Sequence, residues 1–218
     1  LMAIVLAGVL LTGSVTPGFH MSRVQAAEDL FNTRYDFNFE DGIEGWYYGE
    51  GWEYQYNGAK PTLESDTENG RMKIAVDFSQ DADKNWSNIA ACWKSEEGID
   101  LSGVTQISMD IWYETEKLTE GELKLAFYSN CGIDVNTSLI DVQEEEGTGL
   151  TKARAVFGFP AIGSDAVTDL AVKIVGCNTG YSGAVWIDNI QFEAKDSETG
   201  DESEQPDTSV DSTLAANS

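Results

Sequence analysis

The chain has 218 residues and a formal net charge of −25, from 38 acidic residues against 13 lysines and arginines. That field repels phosphate backbones and anionic lipid heads, which excludes nucleic acid and the membrane surface as partners but is indifferent to a neutral polymer. One histidine and three scattered cysteines (Cys92, Cys131, Cys177), with no CxxC pair, leave no disulfide framework and no zinc set, so the thiols read as small buried hydrophobes.

In chain order, the first feature is the uncharged apolar run 2–11, too short for a bilayer, which needs ~20 residues. With the small residues Ala26 and Ala27 after it, the run reads as a secretory signal clipped at its N-terminus, spanning 1–27, and predicts an exported, extracellular protein. Its only histidine, His20, would leave with it.

Residues 28–193 follow as one domain. Arg23 carries +1 and residues 194–218 carry −6, so this domain holds −20 of the −25. Period-two alternation dominates it. Strand-like segments are predicted at Tyr35–Phe39, Trp52–Tyr56, Met72–Phe78, Asn88–Trp93, Ile107–Tyr113, Leu123–Phe127, Ala153–Phe157, Leu170–Ile174 and Ala184–Phe192. Turns are predicted at Asp41-Gly42, Asn69-Gly70, Ser102-Gly103 and Ser182-Gly183. No stretch reads as a long amphipathic helix. Many short strands at this spacing predict an all-β fold, an antiparallel β-sandwich of jelly-roll type. The last segment, 194–218, has no aromatic residue and seven acids against one lysine, the composition of an acidic disordered linker leading to a further domain.

Without a histidine in the exported chain, serine- and cysteine-type triads have no general base. Glycosidases need only two carboxylates, yet a pair cannot be recognised from abundance where most acids alternate onto solvent faces. The tryptophans are more specific. Trp46 and Trp52 lie in the glycine-punctuated GWYYGEGWEYQY, Trp86 in the polar DADKNWSN, and Trp112 on the polar parity of its strand. A flat indole face stacks on the C–H face of a pyranose while nearby amides and carboxylates orient its hydroxyls. Trp86 suits that role; Trp46 and Trp93 fit a core better.

Four segments then carry a resemblance: DFNFEDGIEGW, the stretch ending at Trp52, VDFSQDADKNWSNI, and VKIVGCNTGYSGAVWIDNIQF. Together they resemble family 27 carbohydrate-binding modules, the mannan-binding domains of bacterial β-mannanases. The resemblance implies a non-catalytic module that binds β-1,4-mannan, glucomannan or galactomannan beside an appended catalytic domain. It places Trp52 and Trp86 in the ligand site. A third family tryptophan follows a Pro-Gly turn near Phe127, where this chain reads AFYSNCGID, so Tyr128 or Asn130 would take its place or the site is shorter. It also implies one structural calcium held by Glu40 and Asp188. Alternatives left open are a related module for xylan or β-glucan, a secreted glycoside hydrolase with an unrecognised carboxylate pair, and a surface adhesin.

Overall fold

The computed structural model describes residues 31–164 and 166–195, so the expected signal and residues 196–218 of the expected tail lie outside the described residues. Twelve strands alternate with turns: β1 Phe31–Phe37, β2 Tyr47–Tyr48, β3 Thr62–Asp66, β4 Arg71–Asp77, β5 Ser87–Ile99, β6 Gln106–Glu114, β7 Glu122–Ser129, β8 Ile133–Ser138, β9 Ile140–Glu145, β10 Leu150–Gly158, β11 Val167–Cys177 and β12 Ser182–Lys195. The one helical element among the described residues is a 3-10 turn at Thr115–Lys117. All pairings are antiparallel. They build a seven-stranded sheet in the order β3-β4-β12-β6-β10-β9, with β1 also on β12, and a five-stranded sheet in the order β2-β5-β11-β7-β8. The predicted all-β sandwich is the observed fold.

Alternation places the core. Met72, Ile74 and Val76 of β4 and Ile107, Met109 and Ile111 of β6 face Ile89, Ala91 and Trp93 of β5 and Leu170, Val172 and Ile174 of β11, all in one buried cluster. Aromatic rings lock its centre edge to face: Phe37 lies 5.3 Å from Trp46, 5.6 Å from Trp93 and 6.3 Å from Phe192. Trp46 and Trp93 are core residues, as their contexts suggested. The indole Nε1 of Trp46 is buried without a hydrogen-bond partner.

Several sequence-based boundaries shift. The Tyr35–Phe39 strand stops at Phe37, and Phe39 turns to φ 54° while staying buried. Trp52–Tyr56 is no strand; it makes one isolated bridge, Tyr54 with Asn88, and Gln55 at φ 53° breaks the extension. Ser182-Gly183 is no turn either, because both residues open β12 by pairing with Asp77 and Val76. At the other end β12 runs to Lys195 with Ala194 buried, so the sandwich passes the expected boundary at 193 by two residues. β2, β3, β8 and β9 had no sequence signal strong enough to mark them. Each is an edge strand in its sheet, and an edge strand needs no apolar face of its own.

Candidate functional site

The five-stranded sheet is covered on both sides. Its inner parity feeds the core; its outer parity carries small residues that are nonetheless buried. Ala90 and Cys92 of β5 and Ala171 of β11 form one outer cluster, capped by Tyr128. Ala126 of β7 with Val175 and Cys177 of β11 form a second, capped by Trp86. Apolar residues on both parities, as in Ala90-Ala91-Cys92-Trp93, are the sequence signal of a strand covered on two faces, one that alternation alone did not flag.

The cover comes from two loops. Gly49 donates its N–H to the Ala90 carbonyl, and a Cβ at Gly49 would collide with Cys92 Sγ, so only glycine lets this segment lie against β5. It carries Trp52 over the sheet, 40% exposed and edge-on to Tyr128 at 5.0 Å, with Lys173 Nζ 5.8 Å from the indole centre. The second loop is held by Asp81, which is buried and accepts hydrogen bonds from Asn57 and Ser87, and it lays Trp86 across β11 and β7. Trp52, Tyr128 and Trp86 thus share one face. From Ala171, beneath Tyr128, to Val175, beneath Trp86, is ~13 Å along β11.

Asn130 is tied into the scaffold beside them. Its Nδ2 donates to Thr168 Oγ1 and its Oδ1 accepts from the Thr168 and Asp169 N–H groups, so it ties the β7–β8 turn to β11. Tyr54, which the sequence did not single out, is 55% exposed and shares with Trp86, Asn57 and Asn85 an open cleft of about 640 Å³. Trp112 is a different case. On the outer face of the other sheet it is 3% exposed, roofed by the Arg71 guanidinium at 3.7 Å and by Lys152 at 4.8 Å, and its N–H donates to Glu145. Being covered, it offers no free indole face.

The charged chemistry of the aromatic face is quiet. Asp169 pairs with Lys94 at 3.5 Å and Glu122 with Lys124 at 2.9 Å. Burial pushes the Cys92 thiol up to about 11, which keeps it protonated and unreactive at neutral pH. The carboxyls raised by burial, Glu44 and Asp188, belong to the turn after β1 and to β12 of the other sheet.

Glu40 and Asp188 sit where β1 and β4 abut along one edge of β12. β1 pairs with β12 up to Phe37↔Ile190, and β4 begins with Met72↔Ile187. Between them Glu40 passes Gly70, whose Cβ position lies 3.6 Å from Glu40 Cα. Asp188 accepts from its neighbour's Asn189 N–H and feels Arg71 and Asp110. Oxygen donors of this kind suit a hard cation rather than zinc. No group of three or more His, Cys, Asp or Glu gathers among the described residues, so an ion here would take its remaining ligands from amide and backbone oxygens.

Comparison with known proteins places this geometry. The sequence profile of carbohydrate binding module 27 matches residues 24–195. A solved structure from a study of specific mannan recognition by the carbohydrate-binding module TmCBM27 superposes with a TM-score of 0.58 at 17% identity, covering 77% of this chain and 99% of that one. A module specific for non-crystalline cellulose, CBM28, superposes at 0.53 and 16% identity, covering 72% of this chain and 92% of that one. At such identities the likeness is one of fold. No curated protein matches the chain.

Proposed function

The chain belongs to the carbohydrate-binding module 27 family, and from this premise we propose that it binds β-1,4-mannan, including gluco- and galactomannan, and delivers an attached mannan-degrading enzyme to it. The observation that carries the reading is the row of Trp52, Tyr128 and Trp86 over the outer face of the five-stranded sheet, above a floor of small side chains. A polymer of pyranoses presents a succession of C–H faces, and an open row of ring faces takes such a chain at any point along its length. A closed pocket would take only its end.

A non-catalytic role is supported by the same face, where Asp169 and Glu122 are paired with lysines and the Cys92 and Cys177 thiols lie buried as floor. Neutral mannan also suits a domain whose charge of −20 would repel an acidic polymer. The solved family relative concerned with mannan recognition points the same way. Export, through the signal read at residues 1–27, and a calcium ion bound by Glu40 and Asp188 complete the proposal.

Affinity electrophoresis against glucomannan, galactomannan, xylan and hydroxyethyl cellulose tests the ligand, with reducing-sugar release as the control for catalysis. The expected outcome is retardation by the two mannans and no release. Retardation by xylan or the cellulose derivative alone would reassign the ligand, and sustained hydrolysis would reassign the class.

A further inference from the structure

Stacking alone does not tell one neutral hexose polymer from another, because every pyranose offers an indole much the same C–H face. Discrimination between epimers needs a polar group aimed at the hydroxyl that differs, since a site built to hydrogen-bond a hydroxyl rejects the sugar that misplaces it. The polar side chains of the aromatic face are mostly spent on one another: Asp169 on Lys94, Glu122 on Lys124, Asn130 on Thr168. Two are not.

Lys173 pairs in register with Ala126, and Ala126 with Asn136, so the three form one row across β11, β7 and β8. Ala126 is buried in the outer cluster, Asn136 is exposed on the same parity, and Val135 beside it turns to the core. The row follows the Ala171–Tyr128 row, whose Tyr128 meets Trp52 edge-on, and its Ala126 lies with Val175 beneath Trp86. Among the described residues no acid lies within ion-pair distance of Lys173; its ammonium approaches the Trp52 ring at 5.8 Å, the outer limit of a cation–π contact. The Cα atoms of Lys173 and Asn136 are two strand spacings apart, ~10 Å, and flank Ala126, part of the floor on which Trp86 rests.

We propose that Lys173 and Asn136 are the specificity-determining pair of the face: donors and one acceptor, set on either side of the Ala126 floor of Trp86, that read the hydroxyls of a sugar lying along the aromatic row. This rests on the polysaccharide-binding reading and adds to it which side chains select the hexose. The ammonium donates to sugar oxygens, and the Asn136 amide both donates and accepts.

The test is titration of the intact chain and of Lys173→Met and Asn136→Ala with mannohexaose and with cellohexaose, whose sugars differ in the orientation of one hydroxyl. Melting curves accompany each variant, and both side chains are removable without opening the core. The expected result is a fall of about ten-fold per variant for the preferred hexaose, little change for the other, and an unmoved melting temperature, so that the preference collapses whichever hexaose the intact chain favours. Equal losses for both hexaoses, or none, would overturn the inference while leaving the aromatic site standing. Preference for cellohexaose in the intact chain would sink the mannan assignment and not this pair. Binding of neither by the intact chain would sink both.

Discussion

A tryptophan taken from the face and one taken from the core should fail in different ways. Trp86 rests on Ala126, Val175 and Cys177, so Trp86→Ala bares part of that floor and should cost about 1–2 kcal/mol of stability. Its binding loss should be larger, about 2 kcal/mol or more, roughly thirty-fold in mannohexaose affinity. Trp46→Ala should instead cost ~3–5 kcal/mol of stability and weaken binding only through unfolding. Trp46→Phe should cost less than that, since it also removes the buried Nε1 donor that has no partner, a group worth ~1–3 kcal/mol when unsatisfied. Melting curves and titrations on the three variants decide it. A Trp86→Ala protein that melts early yet binds normally would move the site elsewhere. Trp52 and Trp86 were legible in the sequence because indoles among glycines, amides and acids have no core pattern to join. Lys173 and Asn136 were not, because a polar residue on the solvent parity of a strand looks like any other until cross-strand register shows its neighbours.

At the scale of elements, the loop bearing Trp52 depends on one close approach. Gly49→Ala should lift that loop from β5, since the new methyl meets Cys92 Sγ, and should weaken mannohexaose binding more than it lowers the melting temperature. Unchanged affinity would mean that Trp52 is placed by some other contact. The junction of β1, β4 and β12 makes a second prediction. If an ion bridges Glu40 and Asp188, exhaustive chelation should lower the melting temperature by mass action while sugar binding persists, because the junction lies on the other sheet. An identical melting curve with and without chelator would dispose of the ion. The central strands were legible from alternation alone. The edges were not: β9 exposes Ile140 and Val142 on an unpaired margin, while β2 is only two residues long.

For the whole molecule, the excess of acid sets the response to pH. Burial holds Glu44 above its ordinary 4.5, so the folded state binds that proton more tightly than the unfolded chain does. The stability Glu44 withholds at neutral pH is regained as pH falls through its folded value, and lowering the net charge of −25 relieves repulsion in the same direction. Asp77 acts oppositely. Hydrogen bonds from Ser79 hold it below 3.8, so its contribution is present above that value and lost as pH falls through its folded pKa. The melting temperature should therefore rise from pH 7 to about 5 and fall again below about 4; a monotonic fall from pH 7 would refute this. The fold class and the two tryptophans came from patterning and from four family-like segments, whereas the face itself exists only because two loops far apart in sequence meet over one sheet. That meeting is the central claim, and isothermal titration of mannohexaose into the intact chain and into the Trp52→Ala/Trp86→Ala double variant tests it most directly. The predicted result is saturable binding by the intact chain and none detectable by a double variant that still melts cooperatively; a folded double variant with undiminished affinity would contradict it.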